Sequence, residues 1–277
     1  MQKHRIVLII SSLVLIIVLY FLPRVVVDNE KDQGIGSTSS QNGQDQEGIE
    51  TDIMDLHSSE ITDQDNARIN NLKADMNNAG SDHLKLADSL SRIYLTYNQF
   101  DSAAKYFEII AEINPGPKEF EKVGNAYYDA LGFAMEKEKA NIYSGKARYY
   151  YELLLKDDPS RLDIKNKLAM TYISSANPMQ GITLLREILE SDPESENGLF
   201  NMGILAIQSG QYERASERFK NLVSLYPQNL QGQFYLGLCY FELGEQDNAR
   251  RQFELVKSME DDPAVLATID GYLNELN

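Results

Sequence analysis

Apolar and polar positions divide the chain into three regimes. Ile6 to Leu22 reads IVLIISSLVLIIVLYFL, broken only by Ser11 and Ser12, and Val25 to Val27 prolong it. A helix over this run is about 25 Å long at about 1.5 Å per residue, the short end of what crosses a bilayer core. The two serines return their hydroxyl hydrogens to carbonyls one turn earlier and so are tolerated in lipid. From Asp28 to Ser59 the apolar positions disappear into Gly, Ser, Gln, Asn and acid, GIGSTSSQNGQDQEG among them. Such a stretch buries too little to offset the entropy of ordering and is expected to be a disordered tether. Ile61 to Asn77 carries Ile61, Ala67, Ile69, Leu72 and Met76 at helical spacing, a leading helix. From Leu84 to Asn277 the helical period dominates, in paired amphipathic segments punctuated by Gly and Pro.

Those pairs repeat. Pro159, Pro193 and Pro227 lie 34 residues apart and close the phrases LLLKDDP, REILESDP and NLVSLYP. In that register Leu168-Ala169, Met202-Gly203 and Leu236-Gly237 coincide, as do Tyr172, Ala206 and Tyr240. Gly181, Ala215 and Ala249 follow, then Leu185, Phe219 and Phe253, and Leu90-Ser91, Tyr94, Ala103, Phe107 and Pro115 reproduce the spacing upstream. The pattern resembles the tetratricopeptide-repeat family at the residues that define it. Small side chains sit where two helices cross closely, aromatic ones fill the space between hairpins, Gly210 and Gly244 mark the turn inside a hairpin, and the prolines end its second helix. The resemblance implies an all-α fold: a right-handed superhelix of about five helical hairpins closed by a C-terminal capping helix.

The expected organisation is a cytoplasmic N-terminus (1–5), a transmembrane anchor (6–27), an acidic linker (28–59), the leading helix (60–83), five repeats (84–117, 118–161, 162–195, 196–229 and 230–262) and the cap (263–277), eleven to thirteen helices after the anchor. Two departures from the family pattern stand out. No repeat has tryptophan in the first aromatic slot, where Ala87, Lys165, Leu199 and Gln233 stand. The second repeat is about ten residues longer than its neighbours, spread over DALGFAMEKEKANIYSGK, which predicts about one and a half extra turns on each helix and a protruding hairpin bearing Tyr143, Tyr149 and Tyr150. In the cap, Val265, Leu266, Ile269 and Leu273 are expected to cover the last repeat.

Charge narrows the function. A net charge of −16 works against a nucleic-acid role, which needs clustered Lys and Arg, and disfavours electrostatic adhesion to anionic lipid. Membrane contact must therefore come from the apolar N-terminus. Tyr20-Phe21-Leu22-Pro23-Arg24 offers no small-x-small cleavage site, so the segment reads as an uncleaved anchor rather than a signal peptide. Lys3 and Arg5 before the span place the N-terminus in the cytoplasm and the repeats in the extracytoplasmic or periplasmic space. The single cysteine, Cys239, reads as a small buried hydrophobe in a helix.

Catalytic chemistry finds no footing. His4, His57 and His83 are isolated from one another and from Cys239, and no phosphate loop, nucleophile elbow or HExxH run occurs. Asp157-Asp158 and Asp261-Asp262 read as turn residues at helix ends. The expectation is no enzyme, no cofactor and no metal. The resemblance implies instead a concave surface lined by the first helix of each repeat, with Asn125, Asn166, Lys167, Phe200, Asn201, Phe234 and Tyr235 facing a protein or peptide partner. The family's clamp for a C-terminal carboxylate is echoed only by Asn166, Lys167 and Asn201, while Asp88 and Glu121 oppose it, so that specificity is not carried over. The implied function is a scaffold or chaperone-like adaptor, similar in architecture to bacterial single-pass inner-membrane proteins of envelope assembly and secretion. The alternative is a structural subunit that self-associates, with the protruding hairpin as contact.

Overall fold

The computed structural model describes residues 60–78, 82–175 and 177–276. The expected anchor and linker, residues 1–59, lie outside the described residues, and no helix among those described is long and apolar enough to cross a membrane. The described residues form twelve helices and no strand: α1 (Asp63–Asn78), α2 (His83–Thr96), α3 (Phe100–Ile113), α4 (Pro117–Gly132), α5 (Lys137–Asp157), α6 (Leu162–Ile173), α7 (Pro178–Ser191), α8 (Glu196–Gln208), α9 (Tyr212–Leu225), α10 (Leu230–Glu242), α11 (Gln246–Met259) and α12 (Pro263–Glu275). They fall into two compact units that meet in sequence at Pro178 and Met179.

In the first unit each helix from α1 to α6 packs on the next in the chain. The leading helix α1 buries Ile69 and is fixed by polar contacts: the Tyr97 hydroxyl donates to Asp65 at 2.6 Å, and the Lys73 ammonium lies 5.6 Å from the Tyr94 ring centroid. The turn between α2 and α3 runs through Asn98 at φ 55, and the Gln99 N–H reaches back to the Tyr94 carbonyl at 2.9 Å. That is the left-handed helix closure for which Gly and Asn are suited.

The long second repeat departs from expectation. Its added length falls mostly on one helix: α5 has 21 residues, whereas α4 has 16 and the two helices of the preceding repeat have 14 each. The extra turns precede Ala147 and Tyr151, both fully buried, and a Cβ on Gly124 of α4 would lie 2.8 Å from the Tyr151 ring, which marks where the two helices cross. Because that crossing point fixes the register of the pair, added residues extend the helix from its N-terminal end alone. The connecting loop bends back, and Phe133 stacks on Phe100 at 5.3 Å.

In the second unit α8 packs on α9, α9 on α10, α10 on α11 and α11 on α12. The α7 side chains Ile188 and Leu189 meet α8 at Gly198, where an added Cβ would lie 2.9 Å from Leu189. Helices α6, α8 and α10 begin at residues 162, 196 and 230, and α7, α9 and α11 at 178, 212 and 246, so the 34-residue period runs on through both helix series. Close crossings occur where small residues were placed. A Cβ on Gly203 would sit 2.6 Å from the Phe219 ring, and one on Gly237 would sit 3.0 Å from Phe253. The hairpin turns at Gly210 (φ 69) and Gly244 (φ 74) reproduce the Asn98 closure, with Gln211 N–H on Ala206 O and Glu245 N–H on Tyr240 O, both at 2.8 Å.

Cap helix α12 starts at Asp262, whose carboxylate accepts from the Ala264 and Val265 N–H groups. Its most buried residues are the expected Ile269 together with Tyr272 and Leu276, which the expected set of Val265, Leu266, Ile269 and Leu273 did not include. The helix rotates to stack Tyr272 on Phe253 at 4.8 Å, leaving Val265, Leu266 and Leu273 half-buried. Cys239 is fully buried on α10, and burial pushes its thiol up to about 12.

Candidate partner-binding faces

Asn125, Asn166 and Lys167 lie on α4 and α6, the first helices of their repeats, and all are half-buried. Two of them meet directly. The Lys167 ammonium donates to the Asn125 side-chain carbonyl at 2.8 Å, and the Tyr151 hydroxyl donates to the same oxygen at 3.1 Å. Both lone-pair sites of that oxygen are thus taken, which fixes the amide orientation. The amide nitrogen keeps two donors without a partner among the described residues. One turn on, Asp129 is exposed, yet desolvation by the surrounding helices pushes its carboxyl up, and Lys167 opposes the shift.

The acidic residues expected to oppose a carboxylate clamp are themselves compensated. Arg161 forms a two-pronged pair with Glu121 at 3.1 and 3.3 Å and also bonds Asp163, while Arg92 bonds Asp88 at 2.8 Å.

Aromatic candidates on α8 and α10 form part of a connected cluster. Phe200 meets Phe219 edge-on at 5.9 Å and Tyr235 at 5.7 Å, and Tyr235 stacks on Phe219 at 5.6 Å. Phe234 continues the cluster to Phe253 and Tyr272 at 5.9 and 6.1 Å. Tyr235 is only 9% exposed, its ring clamped between first- and second-helix aromatics. Phe200, Asn201 and Phe234 remain half-buried along the first-helix faces above it.

The tyrosines of the long repeat also have polar anchors. Glu108 on α3 accepts from the Tyr127 hydroxyl at 2.8 Å, from Lys146 at 2.8 Å and from the Tyr150 hydroxyl at 3.3 Å. Burial and the Glu108 carboxylate together raise both tyrosines well above the usual phenol range. Tyr143 donates to Asp101 at 3.2 Å, and only Tyr149, 57% exposed, is open to solvent. Sequence periodicity missed Glu108, because an acid on an amphipathic helix reads as a solvated position.

No group of side chains among the described residues could hold a metal ion. Asp158 caps its own turn through Ser160 at 2.6 Å, and Asp262 caps α12, so both acidic pairs supply turn residues.

Paired helices, repeated at fixed spacing around small-residue crossings and left-handed turns, define a helical-hairpin repeat protein. Residues 200–261 match the tetratricopeptide-repeat family model, and the helical-hairpin fold is the one that tetratricopeptide-repeat proteins share. A tetratricopeptide-repeat protein from Parabacteroides merdae is similar at 19% identity and TM-score 0.55, over 82% of this chain and 84% of its own. MamA from Desulfovibrio magneticus aligns at 17% identity and TM-score 0.49, over 65% of this chain and 97% of its own. YrrB, described as a tetratricopeptide-repeat protein with an unusual peptide-binding site, aligns at 15% identity and TM-score 0.46, over 72% and 96%. No curated protein sequence matches the chain. Proteins of this family generally mediate protein–protein interactions.

Proposed function

We propose that the chain is a membrane-tethered interaction module that receives a polypeptide on the first-helix faces of its repeats. The observation that carries this reading is Asn125. Its side-chain carbonyl is clamped by Lys167 and Tyr151, and its two amide donors are left over, pre-oriented for the backbone carbonyls of an extended peptide. Phe200 and Phe234, half-buried over Tyr235, supply apolar contact for side chains. The membrane half of the proposal rests on Ile6 to Leu22 and on the absence of a cleavage site after it. With Lys3 and Arg5 preceding that run, the repeats stand on the extracytoplasmic side, where a scaffold or chaperone-like adaptor in envelope assembly would meet its partner.

In-cell photo-crosslinking tests the proposal, with the crosslinker at Asn201 on α8 and, as control, at the exposed Glu254 on α11. A discrete product from Asn201 alone supports groove binding, and mass spectrometry of it identifies the partner. Equal products from both sites, or from neither, remove that support. The second reading, self-assembly through the long hairpin, is favoured by the exposed Phe133, Met135 and Tyr149. It requires the full chain in detergent to elute as a stable homo-oligomer without partner.

A further inference from the structure

The second unit carries a concavity, lined by two arginines, that the groove reading does not use. It has a volume of about 370 Å³ and is lined by Leu199 of α8 with Arg214, Glu217, Arg218 and Asn221 of α9. Arg214, Arg218 and Asn221 recur at helical spacing and so share one face of α9. Arg186 of α7 is close enough to act on Arg218 electrostatically, as is Arg214. Two arginines thus line this concavity, with Arg186 acting on one of them from α7, in a chain of net charge −16.

Arg218 is the group that needs explaining. It is half-buried and makes no hydrogen bond or ion pair among the described residues, Glu217 beside it included. Other arginines are satisfied: Arg92 and Arg161 by carboxylates, Arg148 by the Thr171 carbonyl and the Tyr172 ring, Arg250 by the Leu276 carbonyl. Burial, then the neighbouring arginines, press its pKa down, and Glu217 opposes the shift without bonding the guanidinium.

The next repeat serves as an internal control. One period on, Leu199 becomes Gln233, Arg218 becomes Gln252 and Arg214 becomes Asn248. There Gln252 donates to Gln233, and Gln233 donates to the Pro227 carbonyl at 2.9 Å, so the equivalent space is closed by the chain's own amides. At Leu199 a side chain without polar atoms stands in the slot where the family places a large aromatic ring, and the space stays open.

We propose that this concavity is a second binding site, one that takes the carboxylate of an acidic side chain on a polypeptide partner. Paired guanidinium forks suit a planar carboxylate, the Asn221 amide adds a donor, and Leu199 gives an apolar floor for the aliphatic stem. Glu217 in the lining and the acidic remainder of the chain work against a polyanion such as nucleic acid or an anionic lipid surface. A single carboxylate is less penalised, because screening over about 8 Å at physiological ionic strength leaves the arginines, offset in part by Glu217, as the field it meets. The proposal goes beyond the groove reading and does not depend on it.

The test is fluorescence anisotropy on the full chain in detergent, with a short labelled peptide bearing two glutamates in a glycine-serine background and its glutamine counterpart. Saturable binding of the glutamate peptide alone is expected. Arg218→Gln and Arg214→Gln should each weaken it about tenfold, the scale of losing one charge-assisted hydrogen bond. Leu199→Trp, which fills the space and leaves every charge in place, should abolish it. Arg251→Gln on α11 should change nothing. Arg186→Gln, at an exposed position on α7, should weaken binding without disturbing the core; circular dichroism checks the helicity of each variant. Absence of saturable binding, equal loss in Arg251→Gln, or retained binding in Leu199→Trp overturns the proposal. Stronger displacement by inorganic phosphate than by acetate would also overturn it, in favour of a phosphoryl site.

Discussion

At the scale of single residues, the fold depends on what is missing as much as on what is present. Gly203 has no Cβ because the Phe219 ring occupies its place at 2.6 Å. Gly203→Ala must push a fully buried ring or separate α8 from α9, and overpacking of this kind costs about 1–3 kcal/mol, read as a lower urea midpoint. Gly244 is open to solvent but sits at φ 74, so Gly244→Ala should cost about 1–2 kcal/mol for a different reason, backbone strain. Both positions were readable from the aligned repeats, since each demands a residue type that shows in sequence. Glu108 was not. Its three donors come from 19 to 42 residues away, and nothing in a helical period marks an acid that will collect them. Glu108→Gln removes the Lys146 ion pair and weakens the acceptor for Tyr127 and Tyr150. A loss of about 1.5–3 kcal/mol in equilibrium unfolding is expected, the scale of hydrogen bonds to a charged group.

Among the helices, period and length were visible while rotation and register were not. The 34-residue spacing placed the starts of α6 to α11, yet sequence could not apportion the extra residues of the second repeat, because that depends on where α4 and α5 cross. In the cap, Ile269 is buried as its spacing implies, and the aromatic contact alone was not legible. Val265, Leu266, Ile269 and Leu273 form a plausible apolar stripe, but the ring of Tyr272 stacks on Phe253 and brings Leu276 under with it. An aromatic side chain contributes more buried area than a Val or Leu, so the helix turns to bury it. Ending the chain at Glu260 would remove Ile269 and Tyr272 from the core, each worth about 1.5–3 kcal/mol of burial, and uncover Phe253 and Phe241. The last repeat is then expected to fray, seen as faster amide exchange in α10 and α11 than in α8. Unchanged exchange would mean that α12 adds little to the hairpin it covers.

Across the whole molecule, the uniform repeat gave no sign that compact units divide at Pro178. Titration behaviour likewise emerges only from packing. Cys239 is pushed from its ordinary 9.0 up to about 12, and burial raises Tyr151, Tyr235 and Tyr272 from their ordinary 10.0. Tyr127 and Tyr150 rise as well, through burial and then the Glu108 contact. All of these groups are neutral when protonated. Between their unfolded and folded pKa values the unfolded chain therefore binds fewer protons than the folded one, and stability falls as pH rises. Their stabilising contribution is fully present below pH 9, declines as the unfolded thiol and phenols ionise, and for Cys239 is exhausted near pH 12. Both units carry such groups, so the loss should appear throughout the chain rather than as detachment of one end. Urea midpoints followed by circular dichroism at pH 7, 9, 10 and 11 should hold steady to pH 9 and then drop. The drop should begin before native-state phenolate absorbance appears, since the folded phenols resist ionisation until the structure yields. If phenolate absorbance instead rose near pH 10 with the midpoint unchanged, these side chains would be open to water, and the aromatic packing that holds the second unit together would have to be abandoned.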